Sequence, residues 1–207
     1  VSERSDRWRS LLRSAALAAG RGAARAWPVA RVREIVREWG GSTVRVSVDA
    51  LREHLGRAPD VQSYAVSIGP DGARIEASFA GGEELAVRLV PVSAFFAPGG
   101  AKELVLHAEP SSALQSRHLS DVVLCVADAV AHALWAPVMR RDPRLTPSGV
   151  VDRGEDGLRV DLRSLPSVRA IRGGRIGQTF TDALRPTTFR AEQDALVLSL
   201  AMGLPTR

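Results

Sequence analysis

Between Val61 and Ala108 the chain alternates short apolar-patterned runs with tight-turn phrases, and this spacing leaves little room for anything except a ladder of hairpins. Gly69-Pro70-Asp71-Gly72, Gly81-Gly82 and Ala97-Pro98-Gly99-Gly100 supply the turns, because glycine and proline meet backbone angles that other residues avoid. Val61 to Ile68 divides into two faces. Ile75, Ala77 and Phe79 share one side of the next run, and Leu85, Val87 and Leu89 share one side of the run after it. Glu103 to Ala108 forms a fourth strand. The pattern predicts an antiparallel meander.

A 3.6-residue repeat follows over 117–136, through Leu119, Val122, Val126, Ala129, Ala133 and Leu134, with Val123, Cys125 and Val130 widening the stripe. Pro137 ends it. A helix of this length is placed to cover the apolar face of the meander. The expected class is therefore α+β, with an antiparallel curved sheet packed on a long helix and an N-terminal helical extension.

The flanking segments are read in the same way. Val44, Val46 and Val48 alternate as a strand, and Leu51 and Leu55 lie four apart on a short helix that Gly56 stops. Arg141 to Asp156 reads as a connection. Leu158, Val160 and Leu162 alternate as a half-buried strand that Leu165-Pro166 closes. Val168 to Gln178 reads as a strand pair or a loop, and Thr188 to Leu200 as a hairpin turning at Glu192-Gln193-Asp194. Upstream, residues 5–26 and 29–39 carry helical patterns broken at Trp27-Pro28. The chain thus divides into a basic helical extension, 1–40, and an α+β domain, 41–207.

Charge separates these two parts. The net charge is +5, and the first 38 residues alone carry all of it, while the remainder is formally neutral. Aromatic residues make up 5% of the chain, so the core must be built from Leu, Val, Ile and Ala. Cys125 is the single cysteine and excludes an intramolecular disulfide, which leans towards a reducing compartment. No signal peptide and no apolar run of membrane-spanning length is visible. The expected location is cytoplasmic or peripheral at the cytoplasmic membrane face, with the envelope left open.

Catalytic signatures are missing from the sequence. No glycine-rich phosphate loop occurs, since Gly81-Gly82 and Gly173-Gly174 lack the strand-to-helix context. His54, His107, His118 and His132 show no local ligand-pair spacing, so no metal site and no cofactor is expected, although distant positions can meet in a fold. Cys125 sits in an apolar stripe, where a buried structural thiol is the expected reading. A non-enzymatic role follows. The N-terminal segment combines arginines with Trp8, Trp27 and Trp39, a composition suited to an anionic membrane or an acidic protein partner. Nucleic acid is disfavoured, because the strands present no aromatic stacking surface.

The order of elements resembles the bacterial tubular lipid-binding proteins of the LmeA-like class. The resemblance runs over about 43–200. It rests on the strand and short helix at 44–55, the meander through Asp71-Gly72, and Leu85-Ala86-Val87-Arg88-Leu89-Val90-Pro91 leading to Phe95-Phe96. The long helix and Gly157-Leu158-Arg159-Val160-Asp161-Leu162 complete it. It implies a curved sheet wrapped around a helix, with an apolar groove for acyl chains, and carries over no functional residue. The chain departs from that class in showing no export signal or anchor. The leading expectation is lipid or membrane-surface binding, with Phe79, Leu119, Val122 and Val126 lining the interior and Trp8, Arg13, Arg21 and Trp27 facing a membrane or partner. The alternative is a protein-interaction or self-association module docking through the N-terminal helices.

Overall fold

The computed structural model describes residues 42–136, 145–171 and 182–202. The expected N-terminal helices, and Trp8, Arg13, Arg21 and Trp27 with them, lie outside the described residues.

The chain enters as strand β1, Ser42–Ser47, and turns directly into helix α1, Val48–Leu55. Ser47 caps that helix, its Oγ accepting from the Ala50 N–H at 3.3 Å. The meander follows as β2 (Val61–Gly69), β3 (Gly72–Phe79), β4 (Glu84–Phe96) and β5 (Lys102–Glu109). A 3-10 turn leads to the long helix α2, Leu119–Trp135. The hairpin β6 (Val151–Gly154) and β7 (Gly157–Asp161), the short helix α3 (Pro166–Ile171), and the hairpin β8 (Leu184–Glu192) and β9 (Ala195–Met202) complete the fold. The α+β class holds.

The expectation of one curved sheet does not. The strands divide into two open antiparallel sheets, one ordered β2-β3-β4-β5-β7-β6 and the other β1-β9-β8. α1 stands between β1 and β2, and the two strands lie in different sheets. β1 meets its hydrogen-bonding demand on β9 instead, from Ser42 opposite Leu200 to Ser47 opposite Ala195. The stretch expected as a connection supplies β6. Pro166 opens a helix rather than only closing a strand, since proline suits the first helical position.

Two glycines fix the inner ladder. A Cβ on Gly72 would stand 2.6 Å from the Leu89 carbonyl oxygen, and one on Gly157 would stand 2.5 Å from that of Leu106. Both residues adopt φ +130, which L side chains rarely reach.

α2 does more than cover one sheet face. It packs on α1, β1 and α3 as well as on β6 and β7, and every residue from Val122 to His132 is buried. A helix surrounded in this way has no solvent face for polar side chains. No helix among the described residues is long and apolar enough to cross a membrane.

The only lysine of the chain is also interior. Lys102 has no exposed surface; its Nζ donates to the Ala97 carbonyl and to Asp182 Oδ1, the latter at 3.2 Å. Asp182 Oδ1 also accepts from the Gly99 N–H at 3.0 Å, tying the β4–β5 turn to the start of β8. Beside it, Asp161 Oδ1 accepts from the Lys102 N–H at 3.1 Å, and the Arg163 guanidinium grips both Asp161 oxygens. Burial pushes Lys102 below its ordinary value, against the pull of Asp182. Burial would raise Asp161, yet its bonds from Arg163 and Lys102 hold it below the usual carboxylate value.

Candidate functional site

The short helix α1 sends three consecutive-turn residues inward: Leu51, His54 and Leu55 are all buried, and His54 is 4% exposed. Leu51 and Leu55 are ordinary core residues. His54 meets α2 where that helix carries its own buried polar pair, Asp128 and His132, four residues apart and so on one face. α3 adds Ser167, 1% exposed. Four polar side chains from three helices thus converge inside an apolar core.

The hydrogen bonds assign each atom a role. His54 Nδ1 lies 2.8 Å from the Ala50 carbonyl, which can only accept, so Nδ1 carries the proton. Nε2 of the neutral ring is then a lone-pair acceptor. Asp128 Oδ1 accepts a close hydrogen bond from Ser167 Oγ. The other oxygen, Oδ2, lies 3.5 Å from His54 Nε2 and 3.4 Å from His132 Nδ1. His132 Nδ1 is also 3.1 Å from the Asp128 carbonyl. The two imidazole rings meet edge to face, with centroids 4.7 Å apart.

His54 Nε2 and Asp128 Oδ2 are both buried, and neither has a hydrogen-bond partner. Two acceptors facing each other across a dry interior repel, and an unsatisfied buried polar atom costs roughly 1–3 kcal/mol. A bridging water that donates to each, a proton or a metal ion would relieve both. Burial lowers the proton affinity of His54, assisted by the nearby His132 and Arg57, while the Ala50 carbonyl and Asp128 oppose that effect. One candidate ligand atom from each of His54, Asp128 and His132 falls within 4.8 Å of the others. Cys125, one turn before Asp128 on α2, is no participant; burial pushes its thiol up to about 12.

Phe79, Leu119, Val122 and Val126, expected to line a lipid groove, lie in the continuous core and are closed to solvent. Phe79 stacks on His118 at 3.8 Å between ring centroids, and His118 Nε2 reaches Glu83 at 2.9 Å. A surface depression of about 380 Å³ lies elsewhere, rimmed by Ser47, Asp49, Arg52 and Asp194.

Histidine spacings alone do not reveal this buried cluster. The available signal was an Asp-to-His step of four residues inside the most apolar helix, beside a histidine flanked by Leu51 and Leu55. Comparison with protein-family models, with curated proteins and with solved structures finds no match to this chain.

Proposed function

We propose that the chain is a metal-binding protein that holds one divalent transition-metal ion between His54 Nε2, Asp128 Oδ2 and His132. The observation that carries this reading is the orphaned pair of buried acceptors, Nε2 and Oδ2, aimed at one another 3.5 Å apart. A tetrahedral zinc ion with bonds of about 2.0–2.2 Å places its ligand atoms roughly 3.4 Å apart. The separation of Asp128 Oδ2 from His54 Nε2, 3.5 Å, suits that edge, and the three candidate ligand atoms, within 4.8 Å of one another, must draw closer on binding. Calcium and magnesium demand a shell of oxygens that this set does not offer. Two imidazoles with one carboxylate suit zinc or its first-row neighbours, and leave the fourth tetrahedral position for water. The outer contacts fit as well. Ala50 fixes the His54 tautomer and Ser167 orients the carboxylate, the support that metal ligands ordinarily receive.

Asp128→Asn separates the ion from the proton. The amide Nδ2–H can donate to His54 Nε2, so a proton-sharing pair is replaced without an orphan, while a charged ligand is lost. Elemental analysis after zinc loading should give one ion per wild-type chain and none per variant. Equal metal content in both, or none in either, ends the reading.

A second reading concerns the surface. An anionic lipid bilayer or an acidic partner is engaged by Trp8, Arg13, Arg21 and Trp27, and the concentration of the entire net charge of +5 in the first 38 residues favours it. Reversing Arg13 and Arg21 together to Glu should release the chain from vesicles containing anionic phospholipid; undiminished co-sedimentation would discard it.

A further inference from the structure

Resting on the metal-binding reading, we propose that occupancy of the His54–Asp128–His132 site decides whether α1 stays docked on α2, making α1 a metal-controlled latch.

Helix α1 has eight residues, too few to persist without tertiary contacts. Its outward side chains Asp49, Arg52 and Glu53 are exposed, so docking depends on its inner face. That face has two apolar anchors, Leu51 and Leu55, and a single polar group between them, His54. Elsewhere α1 is held by polar contacts at its rim. Arg52 donates to the Val66 carbonyl at 3.4 Å, and the Arg57 and Ala58 N–H groups close the turn after the helix on the carbonyls of His54 and Leu55.

His54 therefore sets the sign of the central polar contact between α1 and α2. With a cation present, Nε2 and Oδ2 share a bond through it, and His132 is drawn in as a third point. Without one, the same two atoms face each other as acceptors. A single proton joins only two of the three groups, so it holds the latch less firmly than an ion that joins all three. Two of the ligands lie on α2 and stay together whatever α1 does. Only the α1 ligand can leave, so opening of α1 dismantles the site, and an intact site suppresses the opening. This reciprocity is required by linkage.

The effect is local and therefore measurable apart from binding itself. If opening of α1 abolishes the site, zinc at a hundred times its Kd slows exchange of the α1 amides about a hundredfold. Amides of β3 and β4, whose ladder does not involve α1, change much less. Hydrogen exchange by mass spectrometry on the full chain, zinc-loaded against chelator-treated, reads both. Asp128→Asn provides the second measurement: its amide bridges to His54 without metal, so its α1 should be protected in chelator and indifferent to zinc. One zinc bound per chain with α1 protection unchanged, or raised equally in β3 and β4, overturns the latch while leaving the site standing. No zinc bound overturns the site and the latch together.

Discussion

Among the described residues, the polar groups around buried Lys102 and around buried Asp128 are built on opposite principles. Around Lys102, the donors described find acceptors: the ammonium reaches Ala97 and Asp182, the backbone N–H reaches Asp161, and Asp161 is gripped again by Arg163. Around Asp128, one oxygen is satisfied by Ser167 while the other faces an imidazole lone pair and has no hydrogen-bond partner. Lys102 and Asp128 are equally buried, although Asp161, Arg163 and Asp182 around the first are partly exposed. The first reads as a completed structural joint, fixing the β4–β5 turn to the start of β8. The second leaves two buried acceptors unpaired. Burial of charge is thus uninformative by itself; the informative quantity is whether the polar atoms have been paired.

The largest separation between the two should come from Lys102→Met, which keeps the bulk and removes the charge. Breaking one side of a buried pair costs about 3–5 kcal/mol, and the lower end applies because Asp182 keeps its Gly99 contact and is 23% exposed. The melting temperature should fall by roughly 6–12 °C with zinc binding intact. A loss of zinc binding here would erase the distinction between the joints.

Asp128→Asn should behave in the reverse manner. In chelator its stability should match wild type within about 1 kcal/mol, since the amide can bond to His54. With zinc at a hundred times Kd it should fail to gain the roughly 2.7 kcal/mol that mass action gives the wild type. Thermal melts with and without metal would show a wild-type rise of roughly 5–10 °C that the variant lacks.

Ser167→Ala tests the outer contact and should be milder. Zinc affinity should drop roughly 10–100-fold, the usual loss when a ligand's hydrogen-bond partner is removed. Isothermal titration would measure it, and an unchanged Kd would show that Ser167 does not orient the carboxylate.

The smallest effect is a difference in acid sensitivity. The folded state holds His54 below its ordinary 6.5, so in chelator the unfolded chain takes up that proton first. Stability then falls as pH drops below 6.5 towards the folded value. Asp161 is held below 3.8, so its contribution is present above that pH and is lost only beneath it. Urea melts across this range should show the earlier decline in wild type and a flatter course in His54→Gln. An identical slope in both would assign the decline to other groups.

Much of this architecture was legible in advance where order along the chain equals order in space. Gly69-Pro70-Asp71-Gly72 and Gly81-Gly82 mark hairpins because each turn joins neighbouring strands, and the repeat from Leu119 onward marks a helix. The second sheet was hidden because β1 pairs with β9, and alternation in Val44, Val46 and Val48 says only that a strand exists, never which partner it takes. Burial of α2 from Val122 to His132 was hidden for a related reason. Its stripe shows which side prefers an apolar neighbour, while α1, α3 and β1 together decide that the opposite side is covered too. Asp128 and His132 then look like solvent-facing residues until those elements are placed. His54 is joined to them only by the docking of α1.

The pairing of β1 with β9 also imposes an order of events during synthesis. Ser47 and Ala195 are partners separated by roughly 150 residues, which a ribosome adds in about 7–30 s. Throughout that interval β1 has no strand to lie beside, and its valines and backbone N–H groups are open to any passing chain. The meander, built from neighbours, can assemble long before. Between the synthesis of β7 and that of β9, a nascent chain should therefore hold a finished six-stranded sheet with an unclosed front, the stage at which a chaperone would have most to hold.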